Sequence, residues 1–224
     1  MAVARDTDAM YTSASFPSSP STTSFTVGAG SNRFLLVWFN WLRNGTEITT
    51  PPTYNGVNLT HVGNYVMTSG PYGSLWYLIA PDTGANNLVV THTGATFTAF
   101  IGSYNGVDQA TPLGTVASDV AFGPATSVDT APSSAVGDLI VRAINKNGGT
   151  ALAATGTGST LRQSGDDADL DGIAGFADQT AAAGTTTGGF SWTTNAGGVT
   201  IGVAIKAASG GGGGGGITTA WITA

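Results

Sequence analysis

Arg33-Phe34-Leu35-Leu36-Val37-Trp38-Phe39-Asn40-Trp41 is the stretch whose reading decides the fold. It is nearly all apolar and rich in aromatic rings, yet only nine residues long. Helices usually run at least about ten residues, and an exposed one shows an apolar period near 3.6. A short continuous apolar run suits a strand buried on both faces. A central strand of a sheet is predicted here.

Outward from that strand, the pattern stays that of strands and turns. Residues 21–28 alternate as a half-buried strand does. Thr53-Tyr54-Asn55-Gly56-Val57-Asn58-Leu59-Thr60-His61-Val62 carries Asn-Gly, the strongest short hairpin signal, because a type I′ turn needs positive φ at both central residues. Residues 72–79, 87–93 and 96–104 read as three more strands, with Pro81-Asp82-Thr83-Gly84 as a turn. A second Tyr-Asn-Gly-Val at Tyr104-Asn105-Gly106-Val107 reads as a similar turn, not a duplication, since the flanks differ. Residues 116–122, 126–130, 135–144, 157–163, 172–178, 188–193 and 199–206 complete the set. About twelve strands, with turn signals every 8–12 residues, predict an all-β antiparallel sandwich or jelly roll. No segment has the long apolar period of a major helix. The predicted organisation is an extended arm over 1–20, a sandwich over 21–208, a polyglycine tether over 209–216 and a docking strand over 217–224.

Composition narrows the function. Only 9% of the 224 residues are charged, against about 25% in an ordinary domain. Solubility alone favours more charge, so so flat a surface points to close neighbours. Net charge is −6, and the seven basic residues are scattered. Nucleic-acid binding needs clustered Lys and Arg to displace counterions, and attraction to an anionic membrane needs the same. Neither partner is expected. With no cysteine, disulfides, thiol catalysis and thiolate metal sites are excluded. The first ten residues hold no apolar run of the roughly 7–15 that a secretory signal needs, so export by the general route is not expected. No stretch reaches the roughly 18 apolar residues of a membrane-spanning helix.

Residues 210–216 are an unbroken glycine run, followed by Ile217-Thr218-Thr219-Ala220-Trp221-Ile222-Thr223-Ala224. Seven glycines behave as a flexible tether of about 15 Å r.m.s. reach. The octet is uncharged and high in β propensity. Ile217, Trp221 and Ile222 each gain about 1.5–3 kcal/mol on burial, so pairing with a sheet edge of a neighbouring copy is expected.

Several phrases fall in a telling order: Gly30-Ser31-Asn32-Arg33-Phe34-Leu35-Leu36-Val37, Thr53-Tyr54-Asn55-Gly56-Val57-Asn58-Leu59-Thr60, Leu75-Trp76-Tyr77-Leu78-Ile79-Ala80-Pro81, Ser103-Tyr104-Asn105-Gly106-Val107-Asp108-Gln109-Ala110-Thr111-Pro112-Leu113-Gly114, Ala135-Val136-Gly137-Asp138-Leu139-Ile140-Val141 and Gly202-Val203-Ala204-Ile205-Lys206. Together they resemble a β-sandwich module of phage and bacterial surface proteins. The resemblance spans about 21–206, leaving the glycine run and the octet outside it. It implies a lectin-like sandwich and carries no catalytic residue.

The chemistry-bearing residues are few. His61 and His92 read as exposed strand histidines, and no nucleophile elbow accompanies them, so no catalytic residue is assigned and no enzyme is expected. Asp167, Asp169, Asp171 and Asp178 fall at calcium-loop positions 1, 3, 5 and 12, with Gly172 at 6. They are candidate calcium ligands, against the plainer reading of a solvated acidic hairpin; no other cofactor is expected. Among the aromatic residues, Tyr65, Tyr72 and Trp76 are candidates for an exposed sugar-stacking patch, while Trp38, Trp41 and Trp192 read as core. Two function classes remain. The first is a non-enzymatic virion structural protein, a phage capsid decoration or tail-associated protein, with other copies and virion proteins as partners. The second is a carbohydrate-binding adhesive module of a bacterial surface or extracellular filament, with host glycans as partners.

Overall fold

The computed structural model describes residues 1–13, 19–41, 48–66, 72–93, 96–148, 151–167 and 172–209. These residues form seventeen strands and no helix. In chain order they are β1 (Ala4–Thr12), β2 (Ser21–Val27), β3 (Phe34–Trp41), β4 (Thr53–Tyr54), β5 (Val57–Asn58), β6 (Thr60–Val66), β7 (Tyr72–Ile79), β8 (Gly84–Val90), β9 (Thr98–Asn105), β10 (Ala117–Thr130), β11 (Ser133–Ser134), β12 (Leu139–Asn147), β13 (Ala153–Thr155), β14 (Ser159–Asp167), β15 (Gly172–Thr180), β16 (Gly184–Thr185) and β17 (Gly188–Ile205). The all-β class is as the sequence predicts. The strand number exceeds twelve because β1, β6 and three short pieces carry too little apolar patterning to be read. Conversely, 116–122 with 126–130, and 188–193 with 199–206, are single bulged strands, β10 and β17.

Of the four antiparallel sheets among the described residues, one is the two-stranded β11-β16 pair and the other three stack. A middle sheet has the order β1-β9-β3-β7-β6, an upper one β2-β8-β4-β5, and a lower one β10-β17-β12-β15-β14, with β13 also on β17. All eight residues of β3 are buried because the middle sheet is covered on both faces. Leu35, Val37, Phe39 and Trp41 meet Phe25, Tyr54, Leu88 and Val90 of the upper sheet. Phe34, Leu36 and Trp38, one residue out of phase, meet Val141, Ala143, Phe176, Ile201 and Val203 of the lower sheet. The period-2 pleat thus feeds two cores from one strand. The lower sheet also curls on itself, enclosing Val128, Ile144, Leu152, Phe190 and Trp192.

The first residues are not a detached arm. Ala4–Thr12 runs extended, as expected of residues 1–20, but pairs with β9 along its length. Its side chains then tie the middle sheet to both others. Asp6 accepts from Gly28 N and Ser103 Oγ, and Thr7 Oγ1 donates to Thr26 O, reaching the upper layer. Asp8 accepts from Gln163 Nε2 at 2.7 Å, reaching the lower one. A polar strand suits this position: as the edge strand it pairs on one side only, with β9, and its polar side chains bond to the neighbouring layers.

Asn55 (φ 48°) and Gly56 (φ 77°) form the type I′ turn between β4 and β5. The second Tyr-Asn-Gly-Val differs. Only Gly106 has positive φ there, and Gly106 N and Val107 N donate to Ser31 O and Asn32 O, so β9 ends in a crossing to another strand instead of a hairpin. The glycine run 210–216 and the octet 217–224 lie outside the described residues.

Candidate functional site

Within the acidic stretch, the described residues place Asp178 far from Asp167. β14 and β15 form a hairpin in which Asp167 pairs with Gly172, whereas Asp178 pairs with Thr160, seven residues further along β14. At about 3.3 Å per residue, Asp178 lies more than 20 Å from Asp167. It is 3% exposed and points at cations instead: Arg162 Nη2 at 2.6 Å and Arg5 Nε at 3.3 Å. The hairpin, which the strict i-to-i+11 spacing does not foresee, pulls the twelfth position away from the loop. Asp169 and Asp171 lie outside the described residues. Among the described residues no three metal-ligating side chains gather.

Next to Asp178 stands the Tyr104 hydroxyl, fully buried and without a hydrogen-bond partner. Burial, reinforced by the negative charges of Asp178 and Asp8, pushes its pKa well above 10. Arg5, Asp8, Arg162, Asp178 and Tyr104 form a neutral polar seam between the middle and lower sheets, and its geometry is structural. One cation, Arg142, is fully enclosed under the curl of the lower sheet. It donates to Gln179 Oε1 (2.6 Å), Thr186 O (2.8 Å) and Thr130 Oγ1 (3.3 Å). Burial lowers its pKa to about 10.

The aromatic trio is split. Tyr65 pairs with Gly73 across β6 and β7, and Tyr72 pairs with Val66, so Tyr65 and Tyr72 point to opposite faces of the middle sheet. Tyr65 packs against Trp38, ring centroids 6.0 Å apart, toward the lower layer. Tyr72 and Trp76 face the upper layer; Tyr72 packs on Trp41 at 5.6 Å. Trp76 is 8% exposed, so it is no open stacking face either. His61 covers it at 4.5 Å, and Trp76 Nε1 donates to Ser74 Oγ at 2.7 Å. The three residues form no single platform.

Tyr72 and Trp76 do share a pocket of about 210 Å³ with Ile48, His61, Asn64 and Ser74. Tyr72, Ser74 and Trp76 are alternate residues of β7, and Asn64 stands opposite Ser74 on β6. A bulge between His61 and Gly63 brings His61 onto the same face, opposite Trp76. His61 Nε2 and Asn64 Oδ1 are 3.0 Å apart. Sequence reading missed Ile48, Asn64 and Ser74, and left His61 as a lone exposed residue. The alternation of 72, 74 and 76 was visible; the bulge that aligns His61 was not. His92, also read as exposed, is 4% exposed, because β2 and Phe97 close over it: its Nε2 meets Ser21 Oγ at 2.9 Å and its ring lies 5.1 Å from that of Phe97.

The phrases that carry the resemblance meet at one end of the sandwich, where they fasten backbone. Arg33 donates to Pro81 O (Nε, 2.8 Å) and Gly30 O (Nη1, 2.9 Å). Gln109 Nε2 donates to Val107 O. Asp138 accepts from Ala135 N and Ala207 N. Asp108 accepts from Thr111 N and Ala110 N, which hold its carboxyl below the ordinary range. A groove of about 460 Å³ runs past Asp108, Asp138 and Lys206, but both aspartates already serve these turns. At the same end Ala207 bridges to Val107, Ala208 N donates to Gly106 O, and the Met1 ammonium donates to Ala208 O.

Compared with known proteins, the chain matches no family model, no curated protein and no solved structure.

Proposed function

We propose that this chain is a non-enzymatic structural protein of a virion surface, a capsid-decoration or tail-associated protein, that assembles through sheet edges and the tethered strand 217–224. The observation that supports it best is the anchoring of Ala208. The residue is held to Gly106 and to the Met1 ammonium, so the glycine run departs from a fixed point on a rigid sandwich. A seven-glycine tether has a reach of about 15 Å r.m.s., so the uncharged octet with Ile217, Trp221 and Ile222 would search for an edge around that point. Several edge strands are open to it: among the described residues, β1 pairs only with β9, β2 only with β8, β6 only with β7, β10 only with β17 and β14 only with β15. Added strands satisfy such edges with main-chain hydrogen bonds. The low charge, and the resemblance to phage surface modules, support the virion setting.

Sedimentation velocity over a range of concentrations tests the reading. The whole chain is expected to form oligomers, and a variant lacking 217–224, or one carrying Ile217→Asp and Ile222→Asp, to sediment as a monomer. Identical monomeric behaviour of all three overturns it. Electron microscopy of particles from the source, with the chain labelled, tests the setting.

A further inference from the structure

We propose that the pocket of Ile48, His61, Asn64, Tyr72, Ser74 and Trp76 is a binding site for a single neutral sugar ring, such as the terminal hexose of a glycan. The inference goes beyond assembly, and stands whether or not 217–224 docks. Size comes first. At about 210 Å³ the pocket is smaller than the roughly 300–1,000 Å³ of sites for drug-sized ligands, and fits one ring. Charge comes next. Among the described residues that line it, none is acidic or basic apart from His61, which suits an uncharged guest. Hydrogen-bonding capacity excludes a purely apolar guest. With Asn64 Oδ1 as acceptor, the His61 proton sits on Nε2, which leaves Nδ1 as an acceptor and the Asn64 amide N–H groups as donors. Ser74 Oγ accepts from Trp76 Nε1 and keeps its own O–H to give. An apolar guest would leave these groups unpaired, at a cost. Ile48 and the Tyr72 ring, which also line the pocket, offer apolar surface to the C–H face of a pyranose. A polyol with one apolar face matches both features. The His61–Trp76 ring contact and the adjacent strands β6 and β7 hold the groups in place before a ligand arrives, which lowers the ordering cost of binding.

Calorimetry and ligand-observed NMR on the whole chain test this, with glucose, galactose, mannose and N-acetylglucosamine, sialic acid as the charged comparison and cyclohexanol as the apolar one. At least one neutral sugar is expected to bind saturably, with a Kd on the order of 1 mM for so few atoms. Asn64→Ala and His61→Ala are expected to weaken it about tenfold or more, each losing one hydrogen-bonding partner. Both side chains are exposed, so the fold is retained, which thermal melting checks. Tyr65→Phe, on the opposite face of the sheet, is expected to leave affinity unchanged. No saturable binding by any neutral sugar, tighter binding of sialic acid or cyclohexanol, or full affinity in Asn64→Ala would each overturn the proposal.

Discussion

Arg5 on β1 and Asp178 on β15 lie 3.3 Å apart, Nε to Oδ2, across the junction of the middle and lower sheets. Asp178 also binds Arg162, so one nearly buried carboxylate holds two guanidinium groups. Removing it leaves both cations without their shared partner. Asp178→Ala is expected to lower unfolding free energy by about 3 kcal/mol in urea titration, and Arg5→Ala by about 1 kcal/mol, because Arg162 still compensates the carboxylate. Equal losses from the two variants would contradict the shared-partner arrangement.

Close backbone packing sets a second expectation. A Cβ on Gly189 would overlap Val128 O of the paired strand, and backbone cannot step aside. One on Gly123 would meet nothing nearer than 3.7 Å. Gly189→Ala is expected to cost at least about 3 kcal/mol, and Gly123→Ala to stay within about 0.5 kcal/mol, by denaturant unfolding.

At the β4–β5 turn the same substitution acts through conformation alone. Gly56 has φ 77° and open space where a Cβ would go. Gly56→Ala is expected to cost about 1 kcal/mol, the strain of a left-handed L-residue. A neutral result in thermal or chemical unfolding would show that the turn relaxes.

The acid limb of stability should report His92. Burial lowers its pKa from the ordinary 6.5. The folded protein therefore binds fewer protons than the unfolded chain once pH falls below 6.5. Stability attributable to His92 is complete above that pH and is lost as pH falls toward the lowered folded value. His92→Gln, which cannot titrate, is expected to show a shallower loss between about pH 7 and pH 5 in parallel urea titrations. An unchanged slope would assign the acid limb to other groups.

Much of the fold was legible because it is written in local chemistry. Continuous apolar residues at 34–41 called for a strand covered on both sides, and Asn55-Gly56 called for a I′ turn; both follow from side-chain hydropathy and backbone sterics within a few residues. The candidate site was legible only in part. Tyr72 and Trp76 were found, but Tyr65 was grouped with them, since only the cross-strand register reveals which face a residue of β6 takes. The bulge at His61 and Gly63 shifts that register by one residue.

By itself, then, the order of residues determined the class of fold, the central strand and the turn at Asn55-Gly56, since each depends on interactions between near neighbours in the chain. Only the tertiary structure decided that β1 is a seam, that Asp178 serves Arg5 and Arg162 instead of a calcium loop, and that His61 and Asn64 face Trp76. Those outcomes rest on which strands pair and in what register, where a slip of one position reverses the face of every side chain that follows.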